Sequence, residues 1–373
     1  MNILKLLPFV LLLLGCSSDD DIRDDAGPGE TGVEFKLREL HSGMLNPWGM
    51  CFPSQSEILI TERRGVLLLY NRESGDVKEV PGLPQIEAIG QGGLLDIILH
   101  PDFEQNRLVY YSYSSAGSEG NNTAVGRAEF DGERLLNHEK IFQALPYIDW
   151  GTVHFGSRLI FDDEGYLFVS VGDRGNAEFA QDSSNHCGKL LRLKEDGSAP
   201  GNNPFVNVTG AMPEIFTMGN RNIQGMDIHP ETRELYTHEH GPRGGDEINI
   251  MKAGENYGWP KVTHGENYDG TPITPHTSLE GYKDPIYHWT PSVAPCGMTF
   301  LPANFSTPNN ENLLIGTLAA QHLKGLRLEG ESVLFTQRYF EGEGRFRAVK
   351  CDPDGRCFVL TESPGKLYEL VAE

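Results

Sequence analysis

One phrase recurs six times along this 373-residue chain: a run of alternating apolar residues, a polar turn, then a second alternating run. The copies fall at 48–62, 94–113, 158–173, 225–240, 297–317 and 346–361. Alternation marks strands with one buried face, and Pro, Asp, Asn or Gly between two such runs marks a hairpin. Antiparallel units repeating at roughly 40–50 residues or more are the mark of propeller blades. Six copies predict an all-β fold, a six-bladed β-propeller of four-stranded antiparallel blades around a central channel. In such a fold the loops that open each blade gather at one end of the channel, so residues distant in sequence meet there.

Length alone would allow two domains, but the even spread of the repeat predicts one closed body. The 43 glycines and 23 prolines suit a fold rich in hairpins, and no long amphipathic helical stretch is present. A formal net charge of -22 disfavours nucleic acid, which requires a basic footprint. A body of this size buries a core without needing disulfides.

The first residues read as a processed leader. One lysine precedes an apolar run over 6–14 that is too short to span a bilayer. Leu13-Leu14-Gly15-Cys16 follows and resembles the bacterial lipobox, in which the cysteine is lipidated. The expectation is a lipoprotein signal peptide over 1–16, a disordered acidic tether over 17–33, and the propeller over 34–373. The protein would be exported and held on a bacterial membrane, periplasmic or at the cell surface, through its lipid anchor alone. Cys351 and Cys357 flank the last hairpin turn, where they form either a disulfide or two free thiols. No Cys/His spacing reads as a zinc site.

Several segments carry candidate chemistry. Over 240–260, Gly241-Pro242 offers carbonyls, Asp246-Glu247 two carboxylates, and a second irregular loop holds Tyr257. Oxygens on irregular loops suit a hard cation such as calcium; a capped turn between strands is the plainer reading. His154 stands beside glycine before the third repeat, placed to act as a general base, while a surface or packing histidine, one of 12 in the chain, is the plainer reading. Gln91 precedes the second repeat, Arg221 and Asn222 precede the fourth, and Arg345 and Arg347 open the sixth. All would ring one end of the channel, and guanidinium forks there would suit an anionic planar ligand.

Nine motifs in order carry a family resemblance across 45–370: 47–50, 90–98, 154–160, 172–175, 219–226, 239–250, 256–260, 291–298 and 345–362. The chain resembles the soluble aldose sugar dehydrogenases that use pyrroloquinoline quinone (PQQ). The resemblance implies a six-bladed propeller and PQQ and calcium as cofactors. It implies that His154 takes the proton of the anomeric hydroxyl. It matches Gln91, Arg221, Asn222, Arg345 and Arg347 to the residues around the quinone. The carbonyls of Gly241 and Pro242 match the calcium on the quinone, and Glu247 with the Tyr257 carbonyl matches a second, structural calcium. Departures accompany it. Over 316–324, Ala319 stands where glucose-oxidising relatives place a cofactor-gripping lysine, with Gln321 close by in the same cofactor-binding stretch. Ser157 stands where glycine is common, Val153 where a polar partner is found, and Ala348 where aspartate is frequent.

The expected function is PQQ-dependent oxidation of aldoses at C1 to the lactone, with a small sugar as substrate and an unidentified electron acceptor. The rival is a non-enzymatic propeller that binds carbohydrate or protein; a metal-dependent lactonase on the same fold is weaker, since the donors here are carbonyl-rich.

Overall fold

The computed structural model describes residues 31–117 and 119–373, with the backbone of a two-residue strand at Ser17–Ser18. The leader, Cys16 and most of the acidic tether lie outside the described residues. Six sheets surround a channel, each with four antiparallel strands. Each of the six sequence repeats forms the innermost two strands of one sheet. Blade one runs Pro47–Ser54, Glu57–Glu62, Val66–Asn71 and Val77–Glu79 from the channel outward. The inner strands of the other blades are Leu94–Leu99, Leu159–Phe161, Ile223–Ile228, Pro295–Phe300 and Phe346–Cys351. The fourth sheet gains the short Ser17–Ser18 strand, parallel to Tyr287–Trp289. In the second repeat the turn is a single turn of helix, Phe103–Asn106, where a plain polar turn was expected; Arg107 closes it in the left-handed conformation.

Alternation explains where the core sits. Leu59, Leu69, Ile97, Val109 and Tyr111 point between blades one and two, and Val169, Leu191 and Ile215 between two and three. Each fully buried aliphatic side chain contributes about 1.5–3 kcal/mol, so the interblade seams supply most of the fold's stability. The ring closes in blade six. Phe35–Ser42, from the start of the body, pairs as outer strand with Gly365–Ala372 at the chain's end, from Phe35 opposite Ala372 to Ser42 opposite Lys366. Closure leaves no free edge between first and last blade. Just before it, Thr31 hydrogen-bonds the Thr307 and Pro308 carbonyls of blade five. Cys351 and Cys357 are joined in a disulfide across the last hairpin. Among the described residues no helix is long and apolar enough to cross a membrane.

Inner strands are bulged near the end where they start. The register slips between Pro47 and Met50, Leu94 and Ile97, Ile223 and Gly225, Cys296 and Met298, and Phe346 and Ala348. A bulge re-aims a side chain and leaves an N–H without a ladder partner. Hydroxyls on the second strands resolve this: Thr61 accepts from Gly49 N, Ser112 from Asp96 N and Ser170 from Arg158 N. The same hydroxyls donate to carbonyls of the next blade, Leu95, Ser157 and Ile223. The bulged end of the ring is therefore also stitched blade to blade.

Candidate active site

The bulges turn Trp48, Leu95, Gln224 and Arg347 toward a chamber of about 280 Å3 at the end of the channel where the inner strands begin. Gln91, Asn222, Ala319 and Arg345 line it too. Gln321 does not; it is exposed in the adjoining turn with φ of 53°.

His154 sits at this end on a strained segment. Its own φ is 52° and that of Ser157 is 77°, both left-handed and both in non-glycine residues. Such conformations cost about 1–3 kcal/mol each and persist only where their surroundings enforce them. Glycine adopts such a conformation at little cost; here the Ser157 hydroxyl is fixed by donating to the Phe155 carbonyl. His154 is held twice more. Its backbone N–H donates to the Gln91 side-chain oxygen at 2.8 Å, and its Nδ1 lies 2.6 Å from Asp173 Oδ1. Asp173 is buried; its Oδ2 accepts from the Trp259 indole at 2.9 Å and its Oδ1 from Gly175 N at 2.8 Å. Burial pushes the His154 pKa down, and the Asp173 bond, which opposes this, does not restore the ordinary value. Burial would push Asp173 up, but the bond to His154 and the charges of His154 and Arg221 outweigh it, so the carboxyl lies below the usual range. The outcome is a neutral imidazole with Nδ1 engaged by a carboxylate, which leaves Nε2 with a lone pair.

Asp173 belongs to a pattern. In blades one, four and six an acidic residue ends the second strand, and in blade three one lies two residues beyond it; each holds the segment that opens the inner strand. Glu62 accepts from Leu45 N at 2.5 Å. Glu239 accepts from the backbone N–H groups of Arg221 and Asn222 and from the Asn220 amide. Glu362 receives three arginines: Arg347 at 3.0 Å, Arg345 at 3.3 Å and Arg63 at 3.6 Å. Sequence reasoning assigned roles to His154, Arg221, Arg345 and Arg347 but not to their acidic holders. The signal was in the repeat itself, because a hairpin brings the start of one strand beside the end of the next.

Two features test the fit of an anionic cofactor and of a cation. Around Glu362 three guanidiniums meet one carboxylate, so positive charge is in excess, and Arg347 Nε is buried with no partner. Burial would raise the Glu362 pKa, but these arginines outweigh it and hold the carboxyl ionised. That chamber suits a planar polycarboxylate. Beside it, Glu239 and Glu247 are both buried in a small recess with Tyr257 and Gly241. Burial pushes the Glu239 pKa up to about 7; burial and then the Glu239 charge push Glu247 well above its usual value. Two mutually repelling buried carboxyls suit a cation. Among the described residues the Pro242 and Tyr257 carbonyls accept no hydrogen bond, whereas the Gly241 carbonyl accepts from Arg221 at 2.9 Å. Asp246 does not line this recess, although its charge adds to the push on Glu247: its oxygens take Gly241 N, the Ser292 hydroxyl, Val293 N and Ala294 N. Among the described residues no three His, Cys, Asp or Glu side chains converge as a metal cluster.

Comparison with known proteins agrees with this architecture. The Glucose / Sorbosone dehydrogenase family matches residues 44–369. Aldose sugar dehydrogenase YliI of Escherichia coli is 38% identical over 353 residues, covering 92% of this chain and 94% of the relative. The soluble aldose sugar dehydrogenase structure from Escherichia coli, in the apo-form, superposes with a TM-score of 0.84 at 34% identity, covering 91% of this chain and 99% of that one. The PQQ-bound aldose sugar dehydrogenase of Streptomyces coelicolor superposes with a TM-score of 0.75 at 26% identity, covering 92% and 100%. The chain belongs to the glucose/sorbosone dehydrogenase family, and so to the oxidoreductases that act on sugar CH–OH groups.

Proposed function

We propose that this protein oxidises aldoses at the anomeric carbon to the lactone with PQQ and calcium as cofactors. The observation that carries the reading is His154: a neutral base fixed by Asp173 and by Gln91, and adjoining Phe155 and Gln91, which line a chamber rich in arginine. A pure binding module has no use for a base facing an anion site. Bound quinone would supply a hydride-accepting group, and calcium beside it Lewis acidity. Arg345, Arg347 and Arg63 would hold carboxylates of the cofactor, with Asn222 and Gln224 along its edge; Gln91 keeps the catalytic backbone in place. The Gly241 and Pro242 carbonyls would take the cofactor's calcium, Arg221 giving up its bond to Gly241. Glu247 and the Tyr257 carbonyl would take the structural calcium. His154 Nε2 accepts the proton of the anomeric hydroxyl as hydride leaves C1. Asp173 stabilises the imidazolium that forms, and Trp259 fixes Asp173.

Reconstitution tests this. Protein supplied with PQQ, calcium, an artificial electron acceptor and a panel of aldoses should turn over, with lactone as product. Failure to bind PQQ at all would leave the non-enzymatic reading. Anchoring is part of the proposal and rests on the sequence around Cys16: Cys16→Ser should move the protein from membranes to soluble fractions with specific activity intact, and a variant that still pellets would contradict it.

A further inference from the structure

The channel has a second mouth. Where the inner strands end, away from His154, a cavity of about 450 Å3 opens among all six blades, and it shares no lining residue with the His154 chamber. Arg158 stands between them. Its guanidinium lies 3.9 Å from the Trp48 ring, donates to the Gln224 and Arg347 carbonyls at 2.7 and 3.1 Å, and is 3.6 Å from Asp96. A molecule in one mouth therefore does not compete with a molecule in the other.

The second mouth has the make-up of a ligand site. Small-molecule pockets span about 300–1,000 Å3, mostly apolar, with a few placed polar groups. Here Met50, Met226, Met298, Phe52 and Phe161 supply the wall. Methionine adapts to varied ligand shapes, and such a wall offers little to a free sugar. Two charged groups without an ion pair between them share the cavity, Asp227 and Lys350, each half-buried. Asp227 accepts Ile228 N at 2.8 Å on one oxygen and Phe300 N at 2.6 Å on the other, with the Thr299 side chain also against it, and two carboxylate oxygens with about four lone pairs still leave room for a further donor. The Lys350 ammonium has no hydrogen-bond partner among the described residues, its backbone alone being paired in the strand ladder. A carboxylate ligand drawn to Lys350 would meet the Asp227 charge, and an ammonium drawn to Asp227 would meet Lys350. A hydroxyl answers both, since it donates once and accepts twice.

We infer that this second mouth binds a small alcohol or phenol with an apolar body, its hydroxyl accepting from Lys350 and donating to Asp227. The inference does not rest on the reaction assigned to the other mouth. Calorimetric titration of the full chain with 4-butylphenol, against butylbenzene as the probe lacking the hydroxyl, tests it. The phenol should saturate one site and bind about 10–100-fold more tightly than butylbenzene, the usual worth of hydrogen bonds to charged groups. Lys350→Met and Asp227→Asn should each remove most of that preference, with melting temperatures near wild type. If Asp227→Asn unfolds because Phe300 N–H loses its acceptor, Lys350→Met decides alone. No saturation, or equal binding of phenol and butylbenzene, or a Lys350→Met protein that binds the phenol like wild type, overturns the inference.

Discussion

The two mouths of the channel are made from the same six inner strands, and they differ in how those strands are finished. At the His154 end the strands are bulged, left-handed residues recur, and acidic residues from the second strands hold the entering segments. At the Lys350 end the inner strands run in regular alternation except in blade one, where the register slips again between Cys51 and Ser54, and much of the wall is methionine and phenylalanine. Local irregularity held by buried carboxylates thus marks the end where proton and charge movement is assigned. The regular end supplies shape.

If that contrast is right, variants at the two ends separate cleanly. Asp173→Asn should do the most damage. Its amide would donate to Nδ1 and move the imidazole proton to Nε2, so single-turnover reduction of bound quinone by sugar should slow by about 10²–10⁴. KM should change little. The wild-type rate should reach its plateau at a lower pH than an ordinary imidazole would allow, because burial keeps the His154 pKa below the ordinary value. It should fall only as the pH drops further and the base is protonated; a rate still climbing above pH 7.5 would contradict this. Arg347→Ala should weaken PQQ binding about 10–100-fold in a titration, since it removes charge-assisted bonds, while the rate at saturating cofactor stays within a few-fold. An unchanged affinity would remove the arginine cluster from the cofactor site.

A smaller effect is expected at the acidic recess. Glu239 and Glu247 have folded pKa values above their unfolded ones, so the native state keeps protons that the unfolded state has lost, and stability falls as pH rises. Burial depresses the pKa of His238 to about 3 and lowers that of His240, so these residues favour the fold as pH rises only up to about 6.5, the ordinary imidazole value. Between pH 6.5 and 8 in chelator the melting temperature should therefore drop, by less than the about 2–4 °C per kcal/mol typical of bodies of 150–250 residues. Calcium should abolish the drop by binding the ionised carboxyls of the folded state, and Glu247→Gln should remove the response to calcium. A melt indifferent to pH and to calcium over this window would count against a cation there. Lys350→Met, at the regular end, should change sugar turnover less than twofold; a larger loss would show that the two mouths communicate through Arg158.

Legibility follows the same division. The inner hairpins were readable because alternation over stretches such as 94–113 and 346–361 reports a buried face, and their sixfold recurrence gave the blade count. Outer strands such as Gly120–Phe130 were not singled out, nor was the closing pair of Phe35–Ser42 with Gly365–Ala372, which joins residues more than 320 apart and leaves no local periodic trace. His154 and the arginines stood out by position at blade entrances. Asp173 and Glu362 did not, although both lie in quoted motifs, because their meaning depends on which hairpin ends meet. The Asp246 carboxylate looked like a cation donor beside Glu247, but successive strand residues face opposite sides, and Asp246 is spent on backbone N–H groups and a hydroxyl.

One experiment decides whether His154 is the base around which the bulged end is organised. His154→Ala loaded with PQQ and calcium should bind the cofactor nearly as wild type does, because the arginines, Asn222 and the carbonyl donors are untouched. Stopped-flow reduction of the bound quinone by an aldose should then be about 10²–10⁴ slower than wild type. A variant that holds PQQ and is reduced at the wild-type rate would show that His154 does not take the proton.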